Sequence, residues 1–328
     1  PCFLGVVGRF LMQLHKIFIA LFLLLTVPFL VANEKEAKSE AEKVEKSDGH
    51  SGEAHHKLPQ KAPQIVGPEG KYTVGPLQIT NSMVVTIVVA LLIILMAQAA
   101  TSNVQLIPSG LQNFVELLVE SLYGFFESIL GPDMVKQTFW FFGTIFIFIL
   151  FSNWFGLIPG LGTVGFDVGS DGHVHKPILR GVNADLNMTL AMAALFMVLW
   201  LYWSLKTIGV GGFLGHIFNV KGHGGGFFGI FLVVVFIFVG LIEVVSIGVR
   251  PVALTFRLYG NVFAGENILE TVMNLGNGVV PYIGGAIAVL PFYVLEILVG
   301  LVQALVFALL TSVFTALMCE HHGDEHAH

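Results

Sequence analysis

Phe227 to Asn274 is a run of nearly 50 residues with helical character, interrupted only by Pro251, and its length and apolarity constrain the fold more than any other feature. Inside lipid every backbone N–H and C=O must be satisfied within the protein, so only helices and closed barrels cross a bilayer. The apolar runs here are continuous and do not alternate with period two, which excludes a barrel. A simple helical span needs about 20 residues. Phe227–Asn274 and the later apolar segment Phe292–Met318, preceded by Pro281 and Pro291, are too long for upright helices. They are expected to tilt strongly or lie as kinked hairpins across the membrane, with Pro251 removing one backbone bond and kinking its helix. Only 12% of the 328 residues are charged and 55% are hydrophobic, where soluble domains run near a quarter charged. The fold class is an all-α integral membrane protein. Upright transmembrane helices accompany two long, strongly tilted or horizontal kinked helices.

Four zones follow from composition. Residues 1–32 carry a short basic region, His15 and Lys16, before the apolar run Ile17–Val31 and the small Ala32, which reads as a signal peptide with residues upstream of Met12. Residues 33–75 alternate Lys and Glu and then carry His50, His55 and His56 among Gly, Ser and Pro; such a segment is a solvated linker that cannot bury a core. Residues 76–318 form the membrane domain, and 319–328 a polar, His-rich tail. Cys2 and Cys319 stand at opposite ends, so neither a disulfide framework nor a cysteine metal site is indicated. The formal net charge of −6 is modest and gives no reason to expect nucleic acid. No cofactor or metal is expected.

Within the membrane domain, spans are predicted at Met83–Ala100, Phe139–Ile158 and Leu186–Leu205. Residues 101–137 set Leu111, Phe114, Val115, Leu118, Leu122, Phe125 and Phe126 against Gln112, Glu116, Glu120 and Glu127, the pattern of a helix lying in the interface. A polar loop, 159–184, carries Asp167, Asp171, His173, His175 and Arg180. Asp185 is expected to cap the next helix, and Trp200, Tyr202 and Trp203 to form an interfacial aromatic belt. The Gly-rich loop after Lys206 lacks a strand–turn–helix context, which rules out a phosphate loop. With the N-terminal linker outside the cytoplasm, the short loops carry three Lys/Arg inside (Lys136, Lys206, Lys221) and two outside (Lys176, Arg180), a slight bias in favour of that orientation.

The chemistry is concentrated in the two long segments. Arg257 and Glu296 each sit in otherwise apolar sequence, and a charge at the bilayer centre costs at least ~2.5–3.5 kcal/mol, so such residues are functional candidates. Arginine keeps its proton at any accessible pH, whereas the carboxyls can titrate. Arg257 and Asn261 are four apart and share a helix face; Glu266, nine from Arg257, falls on the opposite side. Glu243 lies fourteen before Arg257, with Ser246 one turn on. Glu296, Gly300 and Gln303 form one polar stripe with a small gap in it. If Glu266 faces Glu296, Arg257 is left facing outward, toward a partner from another subunit. Arg250, beside Pro251, reads as a side chain reaching to a membrane edge.

The stretch Arg257-Leu-Tyr-Gly-Asn-Val-Phe-Ala-Gly-Glu266 closely resembles the signature of subunit a of F-type ATP synthase, of the bacterial type. The likeness runs from about Pro76 to Met318 through Gly156-Leu-Ile-Pro159, Ala184-Asp-Leu-Asn187, Leu241-Ile-Glu243, Arg250-Pro-Val252 and the Gln303 helix. The arginine motif is the specific one. The resemblance implies a non-catalytic subunit, without a nucleotide site, in a bacterial inner membrane. Its partners would be a c-subunit ring, a b-subunit peripheral stalk, the remaining synthase subunits and membrane lipids. It implies that Arg257 is the stator arginine facing the ring carboxylate. Asn261, Glu266, Glu296 and Gln303 would line the outer half-channel, and Glu243 and Ser246 would sit near the cytoplasmic one. Two departures stand out: many bacterial relatives carry histidine where this chain has Glu296, and some carry aspartate where it has Gly156. Two other classes compete. A secondary transporter predicts inverted internal repeats, and none relates residues 83–205 to 227–318; a structural scaffold predicts no cost to removing Arg257.

Overall fold

The computed structural model describes residues 81–102, 104–105, 107–159, 179–218, 227–279 and 283–319. The signal-like segment, the His-containing linker, most of the polar loop, residues 219–226 and the C-terminal tail lie outside the described residues. Five long helices account for nearly all the rest: α1 (Asn81–Thr101), α2 (Leu111–Gly156), α3 (Leu186–Phe218), α4 (Phe227–Val279) and α5 (Gly284–Cys319), with a single 3-10 turn, Val182–Ala184, before α3. Every one is long and apolar enough to cross a membrane, so the chain is a multi-pass, all-α membrane protein.

Two of the helices are bent sharply, in each case at a glycine. Gly131 takes φ 76°, ψ 167° inside α2, immediately before Pro132, a backbone that L side chains rarely adopt. The bend divides an amphipathic first half from an almost wholly buried second half, matching the division the sequence predicts. The inward face of the first half is narrower than expected. It comprises Val115, Val119, Leu122, Phe126 and Leu130, while Leu111 and Phe114 are exposed. Gly209 (φ 74°, ψ 165°) bends α3; the helix continues to Phe218 where a loop was expected from Lys206. Its end packs against α4 so closely that a Cβ on Gly240 would lie 2.9 Å from the Ile217 carbonyl oxygen.

α4 runs as one helix through Pro251. Its 53 residues and the 36 of α5 correspond to about 80 Å and 54 Å at 1.5 Å per residue, well beyond the ~30 Å of hydrocarbon. α5 packs against both α2 and α4, and α3 against α4. The inward stripe of α5 is made of Gly300, Ala304, Ala308, Thr311 and Thr315, all buried. Small side chains at that spacing let helices approach closely in lipid, where apolar association has little driving force of its own. The threonine hydroxyls are satisfied inside the helix: Thr311 donates to the Phe307 carbonyl at 2.8 Å and Thr315 to that of Thr311 at 2.9 Å.

The aromatic belt on α3 is not one. Trp200 and Trp203 are 2% and 4% exposed; Trp200 donates its indole N–H to the Phe314 carbonyl at 3.1 Å, and Trp203 packs on Trp140, Phe141 and Phe142. Only Tyr202 of the three is exposed. Both tryptophans face into the bundle and tie α3 to α2 and α5.

Candidate functional site

α2, the turn before α3, and the middles of α4 and α5 converge on one small cavity lined by Ser152, Asn153, Gly156, Gly181, Glu266, Glu296, Gly300 and Gln303 among others. Its free volume of about 20 Å³ suits a single water. The walls are held by hydrogen bonds between elements distant in sequence. Asn153 of α2 donates to the Gly300 carbonyl at 3.0 Å and accepts from Asn183 at 2.7 Å. Trp154 donates to the Ile297 carbonyl at 3.2 Å, and the Tyr293 hydroxyl donates to the Leu157 carbonyl. The gap in the Glu296–Gln303 stripe is thus where α2 sits: a Cβ on Gly300 would meet the Asn153 Cβ at 3.1 Å. Ser152 Oγ and Asn183 Oδ1 are buried there without a hydrogen-bond partner among the described residues.

Glu266 has the most elaborate surroundings. Its carboxylate faces Arg180, with Nε to Oε2 at 3.4 Å and side-chain exposures of 5% and 15%. It also accepts from the Gly181 backbone N–H, and Glu296 lies within electrostatic reach. Gly181 must be glycine for this seat, because a Cβ there would lie 2.5 Å from Glu266 Oε1. Gly265, next to Glu266, is covered by the Glu296 carboxyl. Gly156 abuts Gly181 with no room for a side chain: a Cβ on it would meet the Gly181 Cα at 3.0 Å. An aspartate at that position would not fit this packing.

Gly181→Ala is expected to push the Glu266 carboxyl off its seat at little cost in folding, because a flexible side-chain end can move. Ion conduction by the assembled complex should fall while folding stability stays within about 1.5 kcal/mol of wild type, the range of tolerated small changes. Unaltered conduction would show that the seat has no role.

The polar loop supplies two parts: Arg180, which the sequence reading placed there without a role, and Asn183, which it did not single out. Arg180 is the counter-ion of Glu266, and Asn183 belongs to the wall. Their pairings are formed across more than 80 residues for Arg180 and 30 for Asn183, so local spacing carries no signal for either. The one available clue was that Arg180 lies five residues before Asp185. Asp185 itself caps α3 as expected, accepting from the Asn187 N–H at 3.0 Å while its carbonyl accepts from Thr189 at 3.3 Å. Burial pushes its carboxyl up, against the pull of the Asn187 N–H and Arg180.

Arg257 and Asn261 stand apart from this cavity. Both are exposed on the opposite face of α4 from Glu266, and among the described residues Arg257 has no hydrogen-bond or ion-pair partner. Only 6% of the most apolar stretch of α4 is buried within the chain, against 72% for α2, so this face is available to lipid or to another subunit. Glu243 lies in a second, separate cluster, about 34 Å from Glu266 along the helix axis. Arg250 holds it, Nη2 to Oε1 at 2.9 Å, and the same guanidinium stands over the Phe314 ring at 4.5 Å. Arg250 is therefore engaged with α5 as well as with its own helix. Ser246 is half-buried beside this pair.

Comparison with known proteins identifies the family. Residues 82–316 match the family model described as ATP synthase A chain. Among curated proteins, the chain is 30% identical to an ATP synthase subunit a of Gloeobacter violaceus over 80% of this chain and 93% of that one. It is 32% identical to an ATP synthase subunit a of Desulforamulus reducens over 75% and 82%, and 29% identical to one of Anaeromyxobacter dehalogenans over 79% and 62%. With five membrane-length helices and the arginine motif on the exposed face of the longest, the chain belongs to the ATP synthase A chain family.

Proposed function

We propose that the chain is the stator subunit of a bacterial inner-membrane F-type ATP synthase. It conducts protons through two half-channels to and from carboxylates on a c-ring, and so couples proton motive force to rotation. The b-subunit peripheral stalk holds it still, and the linker side of the membrane is the outer side. The observation that carries the reading is Arg257: a permanent cation, exposed and unpaired among the described residues, on a helix face that the described residues leave bare. A charge so placed is costly in lipid and is compensated by an acidic group presented by a neighbour.

The positions of the other groups support two separate paths. Along α4, Glu266 lies about 13 Å to one side of Arg257 and Glu243 about 21 Å to the other. From the outer side a proton passes by Glu296 and Glu266, with Gln303 and Asn261 along the way, and neutralises a ring carboxylate. A neutral carboxyl can then rotate into lipid without the charge penalty. After nearly a full turn it meets the inner path near Glu243 and Ser246. There Arg257 attracts the ionised form, promotes release and blocks a direct hop between the paths. Each charge crossing contributes ~2.3 kcal/mol per 100 mV, so several crossings must accumulate per ATP. The chain has no nucleotide motif and makes no ATP itself.

The test is ATP-driven acidification of vesicles holding the whole reconstituted complex, without added sodium. Acidification supports protons as the coupling ion; pumping only after sodium is added would keep the architecture and change the ion. Glu296→Gln should assemble normally, slow proton uptake on the outer side and alter the pH–rate profile, because the side chain keeps its shape and loses its titration. An unchanged profile would remove Glu296 from the relay.

A further inference from the structure

We propose that Arg180 is a positioning residue for proton uptake: together with the Gly181 N–H it forms a fixed receptor that aims the Glu266 carboxyl into the cavity and favours its ionised form between proton transfers. This rests on the outer half-channel reading above and adds to it a group from the turn before α3. Three independent observations carry it. Arg180 and Glu266 are both largely enclosed, at 5% and 15% side-chain exposure, with Nε and Oε2 3.4 Å apart. The seat is shaped for the carboxylate, since Gly181 donates to it and leaves no room for a Cβ, which would lie 2.5 Å from Oε1. The guanidinium is itself clamped from other sides, by the Phe263 ring at 5.9 Å and by the field of Asp185, which the Asn187 N–H anchors at the start of α3.

The chemistry follows from charge. Arginine cannot take part in the proton transfer itself, but a cation beside a carboxylate favours its ionised form. The charged groups facing Glu266 are Arg180 from the turn and Glu296 from α5, of opposite sign; Asp185 faces Arg180 from the start of α3. A proton arriving on Glu266 must therefore weaken the Arg180 contact, and Asp185 keeps the guanidinium from being stranded without any acidic neighbour. A proton leaving Glu266 for the ring restores the contact. Arg180 thus shifts the pH range over which Glu266 cycles, and Glu296, with no such cation at its carboxyl among the described residues, is free to hold the proton first.

The experiment uses the reconstituted complex and reads the pH dependence of passive proton conduction after removal of the catalytic head. Arg180→Gln is expected to move the midpoint of the pH profile upward by roughly one unit or more, the effect of losing an adjacent cation, and Arg180→Lys to recover most of the wild-type profile. An assembled Arg180→Gln complex with the wild-type midpoint would overturn the proposal. If Arg180→Gln does not assemble, Arg180→Gln/Glu266→Gln decides. Regained assembly shows that the uncompensated carboxylate was the fault and supports the pair; failure of the double variant makes Arg180 a packing residue and overturns it. The stator reading is tested separately by Arg257→Ala in the same vesicles, because Arg257 shares no contact with Arg180. Normal coupling in that variant would sink the stator reading whatever Arg180 does.

Discussion

Replacing Arg257 with alanine is expected to abolish ATP-driven acidification in the fully assembled complex and to open a passive proton leak. The side chain is exposed and makes no hydrogen bond or ion pair among the described residues, so the substitution is expected to leave packing intact and remove the charge. Two consequences follow from that loss. A ring carboxylate passing this face has no cation to draw it into the ionised form, so release to the inner side slows. The barrier between the two sides, at least ~2.5–3.5 kcal/mol for a charge in lipid, also no longer includes the electrostatic repulsion of a proton by a permanent cation. Coupling therefore fails twice, by lost release and by short circuit. Acidification by ATP measures the first, and dissipation of an imposed pH gradient in the absence of ATP measures the second. Coupled pumping at the wild-type rate would exclude the stator role, and a scaffold would be the reading left.

How far residues alone reveal such a site depends on the range over which its parts interact. The helices were legible because composition and run length act locally. Asn81–Thr101, Leu186–Phe218 and Gly284–Cys319 enclose the predicted spans, and each observed helix is longer than its apolar run because small and polar residues continue it. The opposition of Arg257 and Glu266 was legible too, since nine residues on a helix fix the angle between them. The convergence of Glu266 with Glu296 could be framed only as a condition, because which faces of α4 and α5 meet is decided by packing. Gly265 against the Glu296 carboxyl and Gly300 against Asn153 answer it. The pairing of Glu266 with Arg180 and of Arg250 with both Glu243 and Phe314 was not legible. Arginine in a loop or at a membrane edge has an acceptable solvated interpretation until the neighbouring helix is in view. The tryptophans of α3 illustrate the same limit: aromatic residues near a helix end fit an interfacial belt or a core equally well, and the bend at Gly209 decides for the core by carrying the helix past them.

Two substitutions of Glu266 should separate its proton role from its structural one. Glu266→Gln keeps the volume and an oxygen that accepts from Arg180 and Gly181, but cannot titrate. The complex is expected to assemble and passive conduction to fall on the order of tenfold or more, the scale lost when a positioned proton carrier is removed. Glu266→Leu also removes the acceptor. Arg180, 5% exposed at its side chain, is then left as a buried cation without its carboxylate, and stranding one member of a buried pair costs about 3–5 kcal/mol. That variant should lose assembly, read as the amount of subunit recovered with the purified complex. Adding Arg180→Leu should restore assembly, since replacing both members of a buried pair by apolar groups is often neutral, while conduction stays low for want of a carboxyl. Recovery of both assembly and conduction in that double variant would mean that protons reach the ring without Glu266, and the outer path would then have to run through Glu296 and Gln303 alone.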